Sequence, residues 1–375
     1  MKNKLMRTTA LVGSMIVLGA SASVAQTTVT GSLDLSYRAV GSSTGAASDG
    51  VSSFRGFGKE SQINIANKGK LNNGLDYAAG FSLEFDGSDL QGSSTQTSTM
   101  QGIHGEGVYL NIIDGNTTYH AGADWIQNPD SHGLINPVGV GYMTSYGNAV
   151  VAAGTAKQGI YPTVANSPYQ AYGFGIVQKT GFGNFSAYYA PSAQDAVAGH
   201  DIGNNQSIAN YEGTAESSIE LGFVGDLGVK GLTVQAFYNE RSAPDQNAAN
   251  TNNTGKVQGG TLTAAYNFGQ ITVAGDYRVT EGGSKVTAGM PDEQIKGKAM
   301  SLTYAATNNL SLGVVYGKAE SNRTDKPNTE KIKIAAIGYN LGPVALNAEY
   351  TDTTSVGGLV GADAKELIVK ASTKF

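Results

Sequence analysis

The sequence predicts an all-β protein: one closed antiparallel β-barrel of about sixteen strands that crosses a membrane. Three observations carry this. Polar and apolar side chains alternate with a period of two along most of the chain, as they do in strands with two unlike faces. The connections between these stretches are alternately short and long. The chain also ends in an alternating stretch, "ELIVKASTKF", whose last side chain is aromatic. Terminal segments normally fray. One that keeps its period to the end reads as a strand that must pair with the first, because lipid tolerates no open sheet edge.

Composition agrees. In 375 residues there are 51 glycines, 9 prolines, 19 tyrosines and 11 phenylalanines, and 15% of residues are charged. With no cysteine, disulfides, thiolate metal sites and cysteine nucleophiles are excluded. Residues 1–25 read as a removable secretory signal peptide. Lys2, Lys4 and Arg7 precede an apolar run from about Ala10 to Ala20, and Ser23-Val24-Ala25 follows as a cleavage site. Losing three bases and no acid takes the formal charge from −5 to −8. An acidic exported chain is not a nucleic-acid binder.

The strands follow in order. "TTVTGSLDLSYRAV" sets Val29, Leu33, Leu35, Tyr37 and Ala39 against Asp34, Ser36 and Arg38. A second strand begins near residue 60. "NGLDYAAGFSLEFDG" then sets Leu75, Tyr77, Phe81, Leu83 and Phe85 against Asp76, Ser82, Glu84 and Asp86. Further strands start near 105, 116, 169 and 182. "SSIELGFVGDLG", "GLTVQAFYNER", "TLTAAYNFG" and "ITVAGDYRVTE" supply those starting near 216, 230, 257 and 270. "AMSLTYAAT", "LSLGVVYGKAE", "KIKIAAIGYNLG" and "PVALNAEYTDT" supply those near 297, 309, 331 and 343, and the last starts near 364.

Seven connections are turn-like, from "KGKLNN" (68–73) to "LGP" (341–343), with the Gly and Asn that tight hairpins require. The others are long and rich in Ser, Thr, Asn, Gly and Asp, such as "GSSTGAASDGVSSFRGFG" (41–58). Short turns at one end and long loops at the other match a bacterial outer-membrane barrel, with the turns periplasmic and the loops extracellular. About sixteen strands enclose an aqueous lumen. The lumen face is read as largely Ser, Thr, Asn, Gln and Asp. The lipid face is read as Leu, Val, Ile and Ala, with Tyr and Phe near the strand ends.

Charges on the lumen face are the candidate functional residues, because charged walls set ion preference by local potential. They are Asp34, Arg38, Asp76, Glu84, His120, Asp124, Asp276 and Arg278. The four histidines show no metal-binding spacing, and no cofactor is expected. The hard oxygens of Asp86 and Asp89 offer a Ca²⁺ option, secondary to their reading as a loop start. The "KGK" runs at 68–70 and 296–298 read as solvated strand termini, with contact to lipopolysaccharide and lipid a secondary reading for the one at the long-loop end.

The signal peptide, the opening strand, the pair "KESQINIANKGKLNNGLDYAAGFSLEFDG", the long segment after "YHAGADW" and the closing strand together resemble the Gram-negative general porins. The resemblance implies a sixteen-stranded homotrimer in the outer membrane, with small hydrophilic solutes and ions diffusing passively through each barrel. It also implies that the third long loop, here residues 125–168, folds into the lumen as a constriction. Its acid would be Asp130, facing a basic wall that includes Arg38 and Arg55; the "PEFGG"-type signature of many relatives is missing. Phe375 takes the family's role of a signal to the barrel-assembly machinery. A substrate-selective channel for sugars or organic acids is the alternative. A barrel enzyme finds no Ser or Asp set beside a His, and a secreted β-rich adhesin is a further reading.

Overall fold

The computed structural model describes residues 25–43, 52–86, 104–122, 135, 138, 173–191, 217–242, 256–282, 294–324 and 326–375. Sixteen strands form one sheet. They are β1 (Gln26–Ser43), β2 (Ser52–Lys70), β3 (Asp76–Asp86), β4 (His104–Asp114), β5 (Thr117–Gly122), β6 (Gly173–Thr180), β7 (Gly183–Ala190) and β8 (Ser218–Gly225). The second half comprises β9 (Leu232–Ser242), β10 (Lys256–Asn267), β11 (Ile271–Gly282), β12 (Gln294–Ala305), β13 (Leu310–Ser321), β14 (Glu330–Leu341), β15 (Val344–Thr354) and β16 (Asp363–Lys374). Each strand pairs with its sequence neighbours, and β1 pairs with β16, so the barrel is closed. The seam is antiparallel and continuous from Ser32 opposite Lys374 to Ser43 opposite Asp363. Closure leaves no unpaired edge, which a lipid-embedded sheet could not sustain.

Sequence reading and structure differ most at β2. The stretch 41–58 reads as a loop from its Ser and Gly content. Yet Gly41–Ser43 and Ser52–Gly58 are paired strand, with Gly41 opposite Ser53 and Tyr37 opposite Phe57. Composition signals loops only statistically, and here the ladder runs on through residues of low strand propensity.

The alternation resolves into a lipid face and an inner face. Leu33, Leu35, Ile63, Leu262, Val273, Met300, Leu302, Val314 and Ile337 all lie on the outside, well exposed. Aromatics sit toward both ends of this band. Tyr277, Tyr316 and Tyr350 are toward the long loops, and Phe182, Phe185, Phe268, Tyr304 and Tyr339 are toward the turns. The Phe185 ring lies 5.0 Å from Phe223, and Tyr266 lies 4.5 Å from Phe268, as girdle residues at a lipid–water boundary do.

The inner face differs from the expectation on one side. On β10–β14 it carries an apolar patch, with Ala265, Ala274, Ala299, Val315, Ala319, Ile332 and Ile334 buried among polar residues of the same strands. These residues surround Ile135, from the connection between β5 and β6, which is fully buried. Val138 lies against Gly313 and Gly338, where an added Cβ would come within 3.3 and 3.1 Å of its methyl carbons. Ile135 and Val138 therefore lie inside the barrel, against a wall of small and branched residues. Burying Ile135 stabilises the arrangement by about 1.5–3 kcal/mol.

Candidate functional site: the charged inner wall

Three polar clusters line the rest of the inner face. The first follows the seam between β1 and β16. Arg38 pairs in register with Ile368 and donates diagonally from Nε to Glu366 Oε1. Four residues along, Lys370 donates from Nζ to Asp34 Oδ2 at 2.9 Å. Alternation puts all four side chains on one face, and the diagonal offset sets long side chains across the strand boundary within reach. The seam thus carries two ion pairs from opposite ends of the sequence. Glu349 continues the wall on β15, accepting from Thr351 Oγ1 at 3.3 Å. Glu330 on β14 accepts the Gly357 N–H at 2.8 Å, anchoring the short 3₁₀ turn Val356–Gly358 between β15 and β16.

The second cluster lies about half a circumference away. Arg278 donates from Nε to Asp276 Oδ2 at 2.7 Å, and both side chains are fully buried. Thr263, in register with Asp276 on β10, donates to its other oxygen. Glu220 on β8 accepts from Asn239 Nδ2 at 2.7 Å. Buried charge is costly unless paired and hydrogen-bonded, and these groups meet that condition.

The third cluster is on β4–β7. His120 Nδ1 lies 2.7 Å from Asn111 Oδ1, and its ring is 5.8 Å from that of Tyr188. The Tyr188 hydroxyl donates to the Gly122 carbonyl at 2.7 Å.

Of the residues singled out from sequence, Asp34 and Arg38 share the seam, Asp276 and Arg278 form a pair, and Glu84 and His120 face inward on β3 and β5. Two take other positions. Arg55 belongs to β2, opposite Ala39 and in phase with the outward Phe57, so it faces away from the lumen. Asp76 is the first residue of β3, at the turn, where its carboxylate binds Lys70 Nζ at 2.6 Å with both side chains more than half exposed. Asp124, Asp130 and Asp89 lie outside the described residues, as do the side chain of Asp86 and the stretch 1–24. Among the described residues no three His, Asp or Glu side chains gather as metal ligands. Glu366, Lys370, Glu349, Glu330, Glu220 and Asn239 were not singled out. Only Glu366 and Lys370 had a visible signal, their place on the polar face of the last strand.

A profile of the Gram-negative porins matches residues 8–358. The chain belongs to this family. It is an outer-membrane porin, a channel protein built as a transmembrane β-barrel. Solved structures share the fold at low identity. The anion-selective porin from Comamonas acidovorans aligns at a TM-score of 0.59 with 15% identity, covering 94% of this chain and 100% of that one. In-vitro folded OmpT, an outer membrane protein of Vibrio cholerae, gives 0.60 and 14%, covering 96% and 100%. A mutant of the Rh. blastica porin gives 0.53 and 13%, covering 93% and 100%. No curated protein sequence matches significantly.

Proposed function

We propose that this porin allows passive diffusion of small hydrophilic solutes and ions through a water-filled lumen, with a preference for cations. One observation carries the cation preference. Three inward bases are each matched by an acid: Arg38 by Glu366, Lys370 by Asp34 and Arg278 by Asp276. Glu60, Glu84, Glu220, Glu330 and Glu349 are on the same face and add further carboxylates to the wall. A lumen lined by one sign of charge raises the local concentration of the opposite ion. No bond is made or broken in this function, and selectivity arises from the width and charge of the path.

The assembly proposed is a homotrimer, supported by the trimer form described for OmpT of Vibrio cholerae. Phe375 is proposed as the terminal aromatic read by the barrel-assembly machinery. Its position directly after β16, where its main chain exchanges hydrogen bonds with Gly31 of β1, supports this.

Reversal potentials of the purified protein in planar bilayers under asymmetric KCl test the reading. The expected sign corresponds to cation flux, and an anion-directed potential would overturn the preference. Saturable block of the current by one class of sugar or organic acid would replace general diffusion with a substrate-selective channel.

A further inference from the structure

The seam between β1 and β16 differs from every other contact in the sheet. All other neighbouring strands are consecutive in sequence and joined by their own connection. Seven of those pairs are tight hairpins, and neither β1 nor β16 belongs to one. A tight turn fixes the register of the two strands it joins. The seam has no turn, so its register has to come from the strands themselves.

Main-chain hydrogen bonds do not settle it. Antiparallel bonds repeat every two residues, so sliding β16 by two or four residues along β1 keeps most of the ladder and leaves each face turned the same way. The outward residues are interchangeable in kind, with Leu33 and Leu35 on β1 against Leu367 and Val369 on β16.

The inward charges are not interchangeable. β1 carries an acid and, four residues later, a base: Asp34 and Arg38. β16 carries an acid and a base in the same order and at the same spacing, Glu366 and Lys370. Because the strands run in opposite directions, the two orders are complementary in one alignment. Lys370 stands opposite Ser36 and Glu366 opposite Val40, each two residues beyond its partner on β1. Both contacts then close at once, Lys370 Nζ with Asp34 Oδ2 at 2.9 Å and Arg38 Nε with Glu366 Oε1.

A slip of two residues brings Ile368, Ala364 or Ser372 to the places of Glu366 and Lys370, and both pairs are lost. A slip of four sets Lys370 beside Arg38 in one direction and Glu366 beside Asp34 in the other. In the first case Lys374 comes to Asp34, so one attraction stands against one repulsion. No more than 25% of any of the four side chains is exposed in the native seam, so a lost or like-charged partner is felt.

We infer that this charge order, Asp34 then Arg38 on β1 and Glu366 then Lys370 on β16, is a register key for closing the barrel. It acts when the last strand meets the first. The key concerns assembly and is independent of which solutes pass.

The test reverses the order of the charges without changing their sum. E366K/K370E reverses it on β16 and D34R/R38D on β1, and the quadruple variant reverses both, which restores opposite charges at each contact. Each protein is refolded from urea into detergent micelles and scored for the heat-modifiable folded form and for register. Register is read by oxidative cross-linking of L35C/A371C, a directly opposed outward pair, in a protein with no cysteine of its own. Each double turns two attractions into two repulsions and should lower the folded yield by about five-fold or more. What does fold should cross-link poorly. The quadruple should recover both yield and cross-linking. Wild-type yield and cross-linking in either double would overturn the key, as would a quadruple no better than the doubles. Loss of yield in the doubles with full cross-linking of the folded fraction would also overturn it, reducing the pairs to ordinary stabilising contacts. Every variant keeps the net charge of the lumen, so the outcome does not depend on the ion preference proposed above.

Discussion

The aromatic ring of Phe375 lies over Gly31, and the two residues exchange main-chain hydrogen bonds of 2.7 and 3.0 Å. This is where the chain's last residue meets its first strand. A side chain at position 31 would run into the tip of the ring, which would have to swing aside to admit it. Gly31→Val should lower the unfolding temperature of the barrel, read as the heat-induced mobility shift on gels, by overpacking worth about 1–3 kcal/mol. Phe375→Ala in the same chain should recover much of that loss by making room. If the double variant is as unstable as Gly31→Val alone, the ring is not what the glycine accommodates.

The seam yields a second prediction. Glu366→Gln removes the carboxylate held by Arg38 while keeping the volume, and leaves a part-buried guanidinium on the inner wall. Breaking a fully buried pair costs about 3–5 kcal/mol, and partial exposure of Arg38 to the lumen should reduce this. The reversal potential should move in the anion direction, because the change adds one net positive charge to the lumen. Lys370→Gln, opposite Asp34, should move it the other way. Two shifts of the same sign would show that the seam does not face the permeation path.

How much of this could be read in advance depends on which constraint the membrane imposes. Strand existence was legible because a lipid face and a lumen face force a period of two, and Leu33, Leu35 and Tyr37 against Asp34 and Arg38 follow it without exception. Which face is which was less secure on β14. In "KIKIAAIGYNLG", Ile332 and Ile334 turn inward and Lys331 and Lys333 outward, against the simple rule of apolar toward lipid. Periodicity separates two faces but does not orient them. Orientation here follows from Ile135, a residue about 200 positions away in sequence, resting on that wall. The seam pairs were hidden for a similar reason: their partners are 328 and 336 residues apart. Arg55 was misplaced because its Ser- and Gly-rich surroundings resemble a loop, while its phase is set by pairing with β1.

Asp276 and Arg278 offer a third test. Asp276→Asn should be more damaging than Glu366→Gln, because the Arg278 side chain it leaves behind is completely enclosed. A loss of about 3–5 kcal/mol in barrel stability is expected, measured by urea unfolding from detergent or bilayers. Replacing both residues by uncharged groups of similar volume, as in D276N/R278Q, should recover part of it. A single variant as stable as wild type would mean that water reaches the guanidinium.

The docking of Ile135 and Val138 gives the last prediction. Ile135 is held by side chains from five strands, β10 to β14, and Val138 by two glycines, so the contact is apolar and depends on shape. Ile135→Ala should weaken it by about 2–5 kcal/mol, the usual cost of emptying a packed isoleucine site. Since Ile135 lies outside every strand, the cost falls on its docking more than on the strand ladder. Conductance in bilayers should become larger and noisier, while the heat-induced gel shift stays near that of wild type. Gly338→Leu should act in the same direction from the wall side by filling the space that Val138 occupies. If conductance is unchanged in both variants, the segment lies against the wall without narrowing the path. If Ile135→Ala instead lowers barrel stability in step with its conductance, the segment supports the sheet rather than shaping the pore.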